Sequence, residues 1–168
     1  PRPVRRKKLE ALFAATADAF QTPQPSTRGL ALDECLRQYA LFTRQQADDA
    51  IRRHGEAEVR QRLYRNALQM GRQLRNDFRI SASQVMSVGA LVYRLLGIDF
   101  HGEPGGNIVI RSCFFSKYYS GEVCRLISGL DEGLLVGLAG GGKLNFRQRI
   151  TEGHECCLAQ LETGRRPI

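Results

Sequence analysis

The chain has 168 residues, of which 42% are hydrophobic and 25% are charged, proportions that are typical of one folded globular domain. This composition excludes a mainly disordered chain, a collagen-like chain and a small disulfide scaffold. No apolar run reaches the roughly 18 residues that a membrane-spanning helix needs. We therefore expect no membrane span and a cytoplasmic protein.

The net charge of +8 is carried by the first part of the chain. Residues 1–94 contain 17 Lys and Arg against 9 Asp and Glu, whereas residues 95–168 contain 8 of each kind. We predict that residues 1–8, which hold five of the positive charges, form a flexible basic arm. Nucleic acid would suit this basic half as a partner. Because charge runs more often serve solubility, we rank nucleic-acid binding last.

Hydrophobic residues recur at helical spacing through the first hundred positions. The pattern predicts helices over 8–20, 30–53, 56–78 and 81–96, and a Pro-containing loop over 21–29. These long polar helices are compatible with a homo-oligomer. The predicted buried face of the fourth helix consists of Val85, Val88, Leu91, Val92 and Leu95.

After this helical part, the pattern changes to the alternation that is typical of strands. Strands are predicted over 98–101 and 107–112, a helix over 114–138, and two more strands over 144–150 and 155–161. We therefore predict a single α+β domain over 9–168. Its N-terminal helices, about 9–97, pack with a small antiparallel sheet of two hairpins separated by a helix, about 98–162.

Four of the five cysteines lie in the last 56 residues. The odd number argues against a disulfide framework, and the spacing matches no standard zinc pattern. We predict no cofactor, with a metal ion held by Cys and His as a weaker alternative. For each cysteine taken alone, packing as a small apolar side chain is the simpler interpretation.

Several of these residues would nevertheless meet at one site. Cys113 ends the second strand where the next helix begins, and a helix dipole would lower its pKa and favour the nucleophilic thiolate. Cys124 and Asp131 are seven residues apart, on one face of that predicted helix.

The last hairpin would close this site. His154 lies in its turn and would act as a base or a metal ligand. Cys156 and Cys157 are neighbours on the last strand, so their side chains point to opposite faces of the sheet. Only one of the two thiols faces the enclosed site, and the sequence leaves open which one.

The C-terminal part, roughly residues 98–162, has a recognisable order of features. A strand ends in Cys plus an aromatic residue, a helix carries Cys and Asp, and a closing hairpin has a Gly-x-x-Cys turn. The residues concerned are Cys113, Phe114, Phe115, Tyr118, Cys124, Asp131, Gly133, Leu144, Asn145, Phe146, Gln148, Gly153, Cys156 and Cys157. This part resembles the L-2-amino-thiazoline-4-carboxylate hydrolase family. It has a more distant likeness to the 4-vinyl reductase domain, a small-molecule-binding module.

The resemblance to the hydrolase family implies that a carbon–nitrogen bond is opened in a small cyclic amidine or thiazoline. Such a reaction needs a nucleophile, a proton carrier and a cation for the substrate carboxylate. We assign Cys113 as the nucleophile and Asp131 or His154 as the proton carrier. Arg111, Arg147 or Arg149 would hold the carboxylate. The predicted substrate-binding residues are Tyr118, Cys124, Arg111, Asn145, Arg147, Cys156 and Cys157.

Two other functions stay open at this point. The chain would be a ligand-binding or sensory module without turnover if it acts like the 4-vinyl reductase domain. Alternatively, the Arg-rich helices and the basic arm would bind nucleic acid, although acidic residues are mixed among the arginines and no helix-turn-helix spacing stands out.

Overall fold

The structure is a computed structural model that describes residues 2–164. Residue 1 of the predicted arm and residues 165–168 of the predicted domain lie outside the described residues. The helices are α1 (Arg2–Ala19), α2 (Leu32–Arg52), α3 (Glu56–Asp77), α4 (Val85–Leu95), α5 (Gly121–Ile127) and α6 (Gly129–Ala139). The strands are β1 (Ile98–Gly102), β2 (Asn107–Cys113), β3 (Lys143–Gln148) and β4 (Cys157–Glu162).

The four strands form one antiparallel sheet in the order β1-β2-β4-β3. Burial alternates along β1, β4 and most of β2, so one face of the sheet packs on the helices and the other face is more exposed. The inward side chains are those of Ile98, Phe100, Ile108, Ile110, Leu144, Cys157, Ala159 and Leu161. The α+β prediction, with helices followed by two hairpins, is confirmed.

The segment that we predicted to be a flexible basic arm is instead the beginning of α1. Two arginines bind this segment to the rest of the protein. Arg5 Nε donates a hydrogen bond to the Leu95 carbonyl at 2.8 Å, and Arg6 donates to the carbonyls of Leu30 and Thr27 at 2.7 Å each. The basic charges therefore fix the helix to the loop before α2 and to the end of α4.

The single helix predicted over 114–138 is interrupted twice. A short 3-10 helix, Phe114–Lys117, follows β2, and α5 begins only after Ser120. The Ser120 side chain accepts a hydrogen bond from the Val123 amide, which is the usual contact of a helix N-cap. A second break at Ser128 separates α5 from α6. The apolar spacing continues across both breaks, and for this reason it did not reveal them.

The central helix pair is α3 and α6, which pack unusually closely. Gly129, Gly133 and Gly137 occur at every fourth position of α6 and face the backbone of α3. A Cβ at Gly137 would lie 2.5 Å from the Leu68 carbonyl oxygen, and a Cβ at Gly133 would overlap the Tyr64 carbonyl oxygen. The absence of a side chain at these three positions of α6 therefore allows the two helices to touch.

Helix α4 buries most of its predicted face, because Val85 is buried and Val88, Val92 and Leu95 are half-buried. Its buried residues are Val85, Gly89 and Tyr93, whereas Leu91 is 60% exposed. The Tyr93 ring stacks on Phe100 of β1, with 4.9 Å between ring centroids and 13° between planes. This stacking turns the aromatic residue inward and leaves Leu91 outside. In residues 2–164, the helices are all too short or too polar to cross a membrane.

Candidate functional site

A cavity of about 190 Å³ lies between the helices and the inner face of the sheet. Its walls are mostly apolar and come from all six helices and from β1, β2 and β4. Side chains such as Leu9, Met70, Val92 and Leu134 form these walls. The cavity therefore depends on both the helical part and the sheet part of the domain.

Polar residues from four elements line part of this cavity. Cys113 comes from the end of β2, Cys124 from α5, Asp131 from the first turn of α6 and Cys157 from the start of β4. The structure thus brings together four of the residues that the sequence placed at one site. Cys157 is the member of the cysteine pair that lines the cavity, and its sulfur accepts the Ile150 amide at 3.4 Å.

Asp131 is the acidic side chain among the cavity-lining residues. Tyr93 donates its hydroxyl hydrogen bond to Asp131 Oδ1 at 2.8 Å. Burial raises the pKa of Asp131 to about 6, and the Tyr93 hydrogen bond and the positive charges of Arg149 and Arg60 offset only part of that rise. A carboxyl with this pKa changes its charge close to neutral pH, which a general acid or base requires.

The thiols are not activated. Burial raises the pKa of Cys113 to about 12, and it also raises the pKa of Cys124 and of Cys157. The expected lowering at Cys113 is therefore wrong. We attributed the expected lowering to a helix dipole, but the element that follows Cys113 is only a four-residue 3-10 helix, and burial of the thiol dominates its pKa. All three sulfurs are neutral thiols near pH 7.

Arg149 is a basic side chain that lies next to the cavity. Its guanidinium donates to Ser128 Oγ at 3.2 Å, lies 4.0 Å from a Glu152 carboxylate oxygen and stands 4.5 Å above the Phe146 ring. Its buried Nε has no hydrogen-bond partner among the described residues. Of the three arginines proposed for a substrate carboxylate, Arg149 is the one that points toward the interior.

The other predicted site residues lie outside the cavity lining. His154, Arg111 and Arg147 are exposed. Each belongs to a solvent-facing position of a strand or turn, so the structure does not bring it to Cys113 or Asp131.

Three half-buried candidates also lie elsewhere. Asn145 on β3 donates to Glu162, and the Cys156 sulfur and carbonyl both face the Gln148 amide. Tyr118 packs beside Phe114 and under the Lys117 ammonium. It is the next residue, Tyr119, that lines the cavity.

Sequence reasoning missed three tyrosines in the cavity wall: Tyr39, Tyr93 and Tyr119. The sequence did contain a signal for Tyr93. Val85, Gly89 and Tyr93 are spaced four residues apart and therefore lie on one face of α4, with the small glycine next to the aromatic ring. The hydroxyls of Tyr39 and Tyr119 are paired with Thr16 and Thr43. Among the described tyrosines, only Tyr93 donates a hydrogen bond to a carboxyl that lines the cavity.

In the part of the chain that the structure describes, no three His, Cys, Asp or Glu side chains are grouped closely enough to hold one metal ion. No protein-family model matches the chain, and it has no match among the curated proteins or the solved structures. The likeness to the hydrolase family and to the 4-vinyl reductase domain stays a prediction.

Proposed function

We propose that the protein binds a small molecule with a largely apolar body inside this cavity. The observation that carries the proposal is a space of about 190 Å³, walled mostly by apolar side chains, into which Asp131 and three thiols project. Cavities lined in this way and supplied with a few polar groups are the usual form of small-molecule sites. An apolar cavity of roughly 150 Å³ accommodates benzene, so a single ring fits here.

Tight packing is the normal state of a protein interior, so a space of this size between its side chains is a distinctive feature of the fold. A molecule bound there would contact the apolar walls on all sides. The cavity also brings buried polar groups together, and these would fix the orientation of a ligand. A binding or sensory role therefore fits the site better than thiolate chemistry does, because the thiols are neutral near pH 7.

The proposal is tested by titrating the protein with benzene, toluene and phenol while recording methyl NMR spectra of Leu130 and Leu134, which line the cavity. We expect saturable shifts of these methyl groups. Val92→Phe places a ring in the cavity and should abolish the shifts. Val88→Phe is the matched control, because Val88 lies on the same helix and is half-buried but does not line the cavity.

Titration of the wild-type protein without any saturable shift of cavity methyl groups would contradict the proposal. Equal loss of binding in both valine variants would show that the ligands bind somewhere else or that the ring disturbs α4 as a whole.

Hydrolysis of a cyclic amidine or thiazoline is the second candidate, and Asp131 is the observation in its favour. A buried carboxyl with a pKa of about 6 suits general-base activation of water. Cys113 would then bind or orient the substrate instead of attacking it. Assays with 2-amino-thiazoline-4-carboxylate should show turnover that Asp131→Asn abolishes and Cys113→Ser reduces only moderately; absence of turnover in the wild-type protein contradicts this candidate.

A further inference from the structure

We infer that the ligand is a small monocation, a protonated amine or amidine on an apolar ring, whose N–H group donates to the carboxylate of Asp131. This inference rests on the proposed function, since it needs the cavity to be a binding site. Beyond that function, it assigns the charge of the ligand and the Asp131 carboxylate oxygen as the acceptor of its N–H group.

The geometry leaves one carboxylate oxygen of Asp131 available. Tyr93 occupies Oδ1 at 2.8 Å, and no described residue donates a hydrogen bond to Oδ2. The carboxyl lines the cavity, so a ligand in the cavity can reach it. Tyr93 is itself held by stacking on Phe100, which fixes the side of the carboxyl that remains free.

Two arginines are near enough to lower the pKa of Asp131, but both make their closest polar contacts with other residues. Arg60 forms an ion pair with Glu132 at 2.8 Å, and Arg149 faces Glu152 and Ser128. Neither arginine forms an ion pair with Asp131, and no other described basic side chain does so. A buried carboxylate without a cation is costly, so the cavity favours a ligand that brings one.

The remaining titratable groups that face the carboxyl come from every neighbouring element. They are Tyr93 on α4, Cys113 on β2, Cys124 on α5 and Cys157 on β4, and burial raises the pKa of each. All of them stay neutral between pH 5 and pH 8. Asp131 is therefore the group in this cluster whose charge changes in that range.

The substrate that the family resemblance implies carries a carboxylate. An anionic group next to Asp131 would be repelled. Within the described cavity wall, basic side chains come from α1, as Arg5 and Lys8, and Lys8 is exposed. A ligand carboxylate would therefore have to extend toward α1 to meet a positive charge. A ligand without a carboxylate has no such requirement.

The test compares three ring compounds of nearly the same shape: benzamidine, which is a cation, benzamide, which is neutral, and benzoate, which is an anion. Dissociation constants are measured from the Leu130 and Leu134 methyl shifts. At pH 7.5 we expect benzamidine to bind at least about tenfold more tightly than benzamide, and benzoate to bind weakest. At pH 5 the affinity for benzamidine should fall about tenfold, because most of the Asp131 carboxyl is protonated there, while benzamide is unaffected.

Asp131→Asn keeps the shape of the side chain and should remove the preference for benzamidine. Glu122→Gln is the matched control, because it also replaces one carboxylate by an amide, but Glu122 is exposed and does not line the cavity, so the preference should remain. If Asp131→Asn does not fold, the pH series on the wild-type protein still tests the inference, because only the affinity for benzamidine should fall between pH 7.5 and pH 5. Benzamide binding as tightly as benzamidine at pH 7.5 overturns the inference and leaves the cavity as a binding site. No saturable shift with any of the three compounds overturns both the inference and the proposed function.

Discussion

The burial of Asp131 costs stability, because the site disfavours the charged form of its carboxyl. Burial raises its pKa to about 6, so the folded protein holds this proton more tightly than the unfolded chain, in which an Asp pKa is about 4. An acid with a raised pKa destabilises the fold as the pH increases. The cost is absent below about pH 4, grows between pH 4 and pH 6, and is complete above pH 6.

Asp131→Asn should therefore stabilise the ligand-free protein at pH 7.5, by about 2 kcal/mol in the free energy of unfolding. The amide oxygen can still accept the Tyr93 hydrogen bond. Urea unfolding of both proteins at several pH values checks this prediction, and the difference should vanish near pH 4. A variant that is less stable than the wild type at pH 7.5 would show that the carboxylate has a stabilising partner.

The buried thiols give a second prediction at the residue scale. Burial raises the pKa of Cys113 to about 12 against an ordinary value of 9.0, so its thiolate fraction at pH 7.5 falls by at least about a hundredfold. Iodoacetamide should label Cys113 at least that much more slowly in the native protein than in urea, with rates read peptide by peptide. Rapid native labelling near neutral pH would restore Cys113 as a candidate nucleophile.

Much of this site could be predicted from residue types and spacing. Cys113, Cys124 and Asp131 were expected to meet, and the structure brings them together although they lie on three elements. The choice between Cys156 and Cys157 required the register of β4 against β2, in which Cys157 pairs with Ile110. The pKa of Cys113 was not predictable, because burial outweighs a dipole effect and burial depends on the whole fold.

At the scale of elements, the contact between α3 and α6 determines the shape of the cavity wall, since Ala67, Met70, Leu130 and Leu134 come from these two helices. Replacing Gly by Ala within a helix normally stabilises the helix by up to about 1 kcal/mol. At Gly137 the new methyl group would collide with backbone atoms of α3. The helices would have to move apart.

We expect Gly137→Ala to lower the free energy of unfolding by about 2 to 3 kcal/mol, as overpacking does elsewhere. Gly105→Ala is the control, because a Cβ at Gly105 meets nothing within 4 Å. Its stability should stay within about 0.5 kcal/mol of the wild type. Denaturant unfolding measures both variants; an unchanged stability of Gly137→Ala would mean that the two helices can separate at little cost.

Helix and strand positions were predictable within a few residues, because hydrophobic periodicity reports which side of an element is buried. The errors have physical causes. The break at Ser120 depends on a side-chain cap, and the face of α4 depends on the stacking of Tyr93 on Phe100. The first turns of α1 are held by long-range hydrogen bonds from Arg5 and Arg6, which local sequence patterns do not reveal.

At the scale of the whole molecule, several basic residues that suggested nucleic-acid binding serve as structural ties. Arg62 donates to the Ala19 carbonyl at the end of α1, and Arg75 donates to the Leu138 carbonyl of α6. Arg60 pairs with Glu132 across the same helices. Arg75 and Arg60 thus join α3 to α6, the helix that carries Asp131, and Arg62 joins α3 to α1. Nucleic-acid binding itself stays a prediction.

A ligand in the cavity should stabilise the whole domain as one unit, because the helices and the sheet both border it. With benzamidine at a hundred times its dissociation constant, binding adds about 2.7 kcal/mol to the free energy of unfolding. For a domain of this size, that corresponds to an increase in Tm of about 5 to 10 °C. Native-state hydrogen exchange should show the same gain in α3, around Leu63, as in β2, around Ile108. A gain confined to the helices would mean that the sheet unfolds separately and does not form a binding wall.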